Sequence, residues 1–176
     1  MKIEFQENRR ILTQPIRFIL YFVLGLIFAV FQTVGLDLIS IADITPDLLL
    51  LLTIWIAMKE GRLYGMIAAF VLGLMLDIIA FDTLGSNALT KTIAAFIAGS
   101  FHKEGFENEQ IANPTFLIIT FFASVIHNVV YYLFYVKFAD FSYYNLILRY
   151  GLAFSAYTVF FAIFPMIIAK PMKRYE

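Results

Sequence analysis

The stretch PDLLLLLTIWIAMKEGRLYGMIAAFVLGLMLDIIAFDTLGSNALTKTIAAFIAG, residues Pro46 to Gly99, decides the fold of this chain. It holds three apolar segments, Pro46 to Met58, Leu63 to Ala80, and a third from Asn87 that runs on to Phe101. They are divided only by the charged break Lys59-Glu60-Gly61-Arg62 and by a short turn-forming sequence between Phe81 and Ser86. Segments this apolar belong in hydrocarbon, where each unpaired backbone group costs several kcal/mol, so each must be helical.

Working outward, the same punctuation marks three more segments, Ile16 to Leu36, Thr115 to Val136 and Leu146 to Ala169. The expectation is an all-α polytopic membrane protein with six transmembrane helices in a compact bundle, one integral membrane domain over residues 1–176. Composition agrees: 61% of residues are hydrophobic, 15% are charged and the mean hydropathy is +0.82, outside the range of an ordinary soluble domain. The second and fourth segments are short. At ~1.5 Å per residue they fall below the ~30 Å apolar core, so they require a thinned bilayer, shelter inside the bundle, or extension into their flanks. Residues 37–45 offer such an extension as an interfacial or re-entrant piece.

Thirteen Lys and Arg balance thirteen Asp and Glu, so no global basic field exists to attract nucleic acid. The absence of cysteine excludes disulfides and thiolate-ligated metals. The N-terminal stretch mixes charges of both signs and carries no small-residue cleavage pattern, so the first span is expected to be retained. With both termini in the cytoplasm, that side holds Lys2, Arg9, Arg10, Arg17, Lys59, Arg62, Lys103, Lys170, Lys173 and Arg174, against Lys91, Lys137 and Arg149 outside. A ten-to-three bias orients the protein with both termini inside. Tyr131, Tyr132, Tyr135, Tyr143, Tyr144 and Tyr150 then form an aromatic belt at the outer interface.

In the third span Gly61, Gly65, Ala69 and Gly73 recur at intervals of four and lead to Asp77. This drifting small-residue stripe is a helix-packing surface, with Ala94, Ala95, Ala98 and Gly99 of the fourth span as candidate partners. Asp77 is an intramembrane carboxylate and needs a partner. Lys91 lies at a similar depth on the next span, so a buried Asp77–Lys91 pair is expected. Asp47, Asn87, His127, Asn128 and Arg149 share this outward bias, as do Gln32 and Thr33, and either line an outward cavity or serve as interfacial residues satisfied by water and headgroups. His127 beside Asn128 reads first as a hydrogen-bonded packing residue. No zinc, nucleophile-elbow or phosphate-loop motif is present, so neither catalysis nor a metal or cofactor is expected. The polar loop from His102 to Pro114 is the longest cytoplasmic connection.

The Pro-Asp entry at Pro46-Asp47, the glycines Gly61, Gly65 and Gly73, the Gly-Leu-x-x-Asp ending at Asp77, and Leu84-Gly85 before a small-residue span resemble the central region of the MreD family of bacterial rod-shape-determining membrane proteins. The residue-level resemblance stops near Gly99. It implies a non-enzymatic component of the cell-elongation machinery in the bacterial inner membrane, paired with MreC and linked to MreB, RodA and a penicillin-binding transpeptidase. It also implies a fold similar to the S subunits of energy-coupling-factor transporters. The competing class is a substrate-binding subunit of a vitamin transporter or a lipid-precursor-binding protein, which the outward polar groups would suit.

Overall fold

Asp47 opens the central helix of the molecule by accepting a hydrogen bond at Oδ1 from the Leu50 amide (2.7 Å). It thereby satisfies one of the amides left free at a helix start. The computed structural model describes residues 2–136 and 151–169, and these are helical nearly throughout. The elements are α1 (Lys2–Val34), a 3-10 turn (Leu36–Ile39), α2 (Leu48–Glu60), α3 (Arg62–Ile79), α4 (Ser86–Gly99), α5 (Glu107–Ala112), α6 (Thr115–Val136) and α7 (Phe154–Ile168). Among the described residues there is no strand, only an isolated bridge between Ile41 and Ile44. That bridge closes a tight turn in which Ala42 and Asp43 take positive φ, so residues 37–45 form a compact connection rather than an extension of either neighbouring helix.

Helix α2 explains the arrangement. Its sequence is apolar all round, and every residue from Leu49 to Met58 except Trp55 is buried. It touches α1, α3, α4, α5, α6 and α7. A helix with most of its surface packed against neighbours has no need of a polar face and no need to match the bilayer thickness itself. Its 13 residues span ~20 Å, a length its neighbours shelter. Gly61 ends α2 and begins α3 with φ +97°, a reversal within one residue that L side chains rarely adopt.

Among the described residues, four helices are long and apolar enough to cross a membrane: Pro15–Val34, Arg62–Ile79, Thr115–Leu133 and Gly151–Ile168. They coincide with four of the six expected spans; the first part of the last, 146–150, lies outside the described residues. The expected spans 46–58 and 87–101 are the shorter α2 and α4, which by length and composition do not qualify. The long helices carry the lipid-suited surface. Ile19 and Phe22 on α1, Ile67 and Phe70 on α3, Phe122 on α6, and Phe160 and Phe164 on α7 are all exposed, a distribution expected of a surface solvated by acyl chains.

The two ends of the bundle differ chemically. At the end where α2 finishes, Glu60 accepts from Arg17 Nη1 (3.1 Å) and Tyr21 Oη (2.7 Å). There the His102 ring also hydrogen-bonds the Met58 carbonyl (2.8 Å). At the opposite end, where α3 and α6 finish and α2, α4 and α7 begin, the carboxylates of Asp47, Asp77 and Asp82 gather.

Candidate functional site

Asp77 is the first element of that acidic end. It sits in the last turn of α3, 1% exposed, and the α3–α4 hairpin folds back over it. One oxygen accepts from the Asn87 amide (3.0 Å) and the Ser86 hydroxyl (3.3 Å); the other accepts from the amides of Gly85 (2.9 Å) and Ala88 (3.4 Å). Helix α4 has glycine at its N-cap and no side-chain cap of its own, so Asp77 caps it from the preceding helix. The positive end of α4 compensates the carboxylate. The expected Asp77–Lys91 pair is therefore corrected: four donors from α4 and the residue before it occupy the carboxylate, and Lys91 lies further along α4.

Lys91, fully buried, forms its ion pair with Asp47 instead. His127 Nε2 lies 3.4 Å from Lys91 Nζ and 3.8 Å from Asp47 Oδ2, completing a cluster built from the entry of α2, α4 and α6. The polar network continues outward from it. Asp47 N donates to Thr158 Oγ1 of α7 (3.0 Å), His127 Nδ1 meets Asn128 Oδ1 (3.1 Å), and Asn128 Nδ2 donates to Ser155 Oγ (2.9 Å). Helix α1 joins through Gln32, whose Oε1 accepts from the Leu49 amide (3.3 Å). A charge buried in a bundle is tolerable when paired and hydrogen-bonded, and this network does both.

The small residues lie at close helix contacts, but against two neighbours rather than one. A Cβ at Gly65 would collide with Ala57 of α2, whereas one at Gly73 would lie 2.6 Å from Ala88 Cα and 2.7 Å from the Asn87 carbonyl of α4. A four-residue step advances ~400° around a helix, so a stripe of this spacing turns ~40° per step and passes from one neighbour to the next. Ala69 between them is fully buried. Gly61 belongs to the junction rather than the helix and faces the His102 ring. The approach is returned by Gly99 of α4, which packs against Arg62.

Asp47, Asn87, His127 and Asn128 line one cavity of about 310 Å³, with Gln32, Thr33, Asp82, Tyr131, Tyr132 and Phe154 among the other walls. Arg149 lies outside the described residues. Asp82 and Tyr131 are the residues that sequence reading passed over as site members. Asp82 Oδ2 accepts from Asn87 Nδ2 (3.1 Å) and from the Tyr131 hydroxyl. Its position in the turn between two apolar segments, five residues before Asn87, was the available signal. Tyr131, read as an interfacial anchor, stacks on His127 with ring centroids 5.9 Å apart.

A second, larger cavity of about 710 Å³ is of opposite character. It is an apolar groove between α1 and α7 with α2 as its floor, lined by Leu24, Phe28, Leu52, Trp55, Phe161 and Phe164, with Lys59 at one end. The Lys59 ammonium lies over the Trp55 ring, 4.6 Å from its centroid.

A family model described as rod shape-determining protein MreD matches residues 14–171. No curated protein and no solved structure shows significant similarity to the chain.

Proposed function

The chain belongs to the MreD family of rod shape-determining membrane proteins, and on that premise we propose that it is a non-enzymatic scaffold of the bacterial cell-elongation machinery that holds the membrane span of MreC. The observation that carries this reading is the apolar groove over α2. It runs between two long lipid-suited helices and leaves part of the central helix uncovered. An α-helix with its side chains is ~10 Å across, and a groove walled by Leu and Phe suits such an apolar partner. MreB, RodA and a penicillin-binding transpeptidase belong to the wider assembly on this reading, and contact with them runs through MreC or the 102–114 loop.

In the same reading the protein is multi-pass in the inner membrane, with six spans and both termini cytoplasmic, and its fold is similar to the S subunits of energy-coupling-factor transporters. The basic residues Arg17, Lys59 and Arg62 near one end of the bundle, and the acidic Asp47, Asp77 and Asp82 at the other, support that polarity.

Co-purification tests the scaffold. Leu24→Trp and Phe164→Ala, which fill and erode the groove, should each reduce recovery of MreC, while Phe122→Ala on the lipid-facing side of α6 should not. Undiminished recovery with both groove variants would refute the assignment of this face. The polar cavity favours a second reading, a substrate-binding subunit of a vitamin transporter or a lipid-precursor-binding protein. Native mass spectrometry of the purified chain would then show a retained small molecule in the absence of MreC.

A further inference from the structure

Asp82 differs from the other two carboxylates at its end of the bundle. Asp77 is compensated by the start of α4 and Asp47 by Lys91. Asp82 is held by neutral donors: the Thr83 amide (2.7 Å), Asn87 Nδ2 (3.1 Å) and the Tyr131 hydroxyl. Among the described residues no lysine or arginine forms an ion pair with it. The described residues lining the 310 Å³ cavity include two carboxylates, Asp47 and Asp82, and no lysine or arginine. Beside the carboxylates stand aromatic rings set at steep angles. Tyr131 and Tyr132 meet at 88° with centroids 5.4 Å apart, and Tyr132 and Phe154 at 66° and 6.2 Å.

A half-buried carboxylate with neutral partners, in a cavity that Tyr131, Tyr132 and Phe154 also line, is a cation-recognition environment. The carboxylate supplies the charge, and the electron-rich ring faces supply a contact that strongly hydrated anions cannot use. We propose that this cavity binds an ammonium group, with Asp82 as its counter-ion and Tyr132 as its aromatic wall. A volume of 310 Å³ admits about ten water-sized groups, enough for a free amine or for a phosphatidylethanolamine headgroup but not for a whole lipid. The site lies apart from the apolar groove between α1 and α7 and does not depend on MreC binding there.

The full chain, purified in detergent and in nanodiscs, provides the test. Choline and ethanolamine should raise the unfolding temperature saturably at millimolar concentrations, and succinate should not. Asp82→Asn should weaken the response roughly tenfold, through loss of the charge-assisted contact. Tyr132→Leu should weaken it about threefold or more, while Tyr132→Phe, which keeps the ring, should stay close to the parent. Stabilisation by phosphatidylethanolamine nanodiscs over phosphatidylglycerol ones identifies the lipid headgroup as the source; stabilisation by the free amines in phosphatidylglycerol discs identifies a soluble amine. The proposal is overturned if none of these probes stabilises the protein, if succinate acts as well as choline, or if a folded Asp82→Asn variant responds like the parent. MreC recovery by the Asp82→Asn variant, measured in parallel, keeps this outcome separate from that of the scaffold.

Discussion

Two carboxylates one helix apart, Asp77 buried and Asp47 partly so, do different work, and substitutions separate them. Asp77 is an acceptor for backbone donors, so Asp77→Asn keeps the shape but removes the charge and part of the accepting capacity. It should cost about 1–3 kcal/mol, read as a lower unfolding temperature of the purified protein. Lys91 and Asp47 form a true ion pair. Lys91→Met leaves a carboxylate without its cation and should cost about 3–5 kcal/mol, most of which Asp47→Asn in the same chain should restore. If the double variant is no more stable than Lys91→Met alone, Asp47 is not the partner that matters. The glycines differ by what stands opposite. Gly73→Ala and Gly99→Ala drive a methyl to 2.6 Å from the Cα atoms of Ala88 and Arg62 respectively, which only a helix shift relieves, at a cost of about 1–3 kcal/mol or more. Gly25→Ala meets only the movable side chain of Leu72 and should be the mildest of the three.

At the scale of the element, α3 and α4 form one unit. Asp77 caps α4, Gly73 admits the Ala88 backbone, and Gly99 admits Arg62, so the hairpin is fastened along its length. Protection of α4 amides from hydrogen exchange should therefore fall in Asp77→Asn first at Gly85, Asn87 and Ala88, before the global unfolding limit is reached. Helix α2 behaves otherwise. It is surrounded by six helices, and its apolar run is a core in the sense of a soluble protein. Leu50→Ala or Ile54→Ala, both at fully buried sites, should cost about 2–5 kcal/mol, whereas exposed Ile67→Ala on α3 should change stability little. Equal effects at all three positions would contradict the central placement of α2.

At the scale of the whole molecule, the orientation proposed for the bundle is open to a direct experiment, because the chain contains no cysteine. Glu104→Cys in the loop after α4 should react with a membrane-impermeant maleimide only after the cells are opened, and Thr83→Cys in the α3–α4 turn should react in intact spheroplasts. Both positions are in connections between helices, where a thiol perturbs packing least. The reverse pattern would invert the proposed topology.

The amino-acid sequence by itself determined that this chain is helical and made for a membrane, because composition and unbroken apolar segments leave backbone groups no other way to be satisfied. It also marked the polar residues that gather at one end, since depth follows from counting along a helix. Asp47, Asn87, His127 and Asn128 were legible as a group for that reason. Azimuth was not. Whether Lys91 turns toward Asp77 or Asp47 depends on how α2 and α4 are rotated and packed, and that is fixed by contacts between segments distant in the chain. The same holds for the stripe of small residues, whose spacing announced close packing but whose drift across two neighbours only the bundle reveals. Tertiary structure also decided the status of α2: too short to read as an ordinary span, it is the central helix around which the others pack.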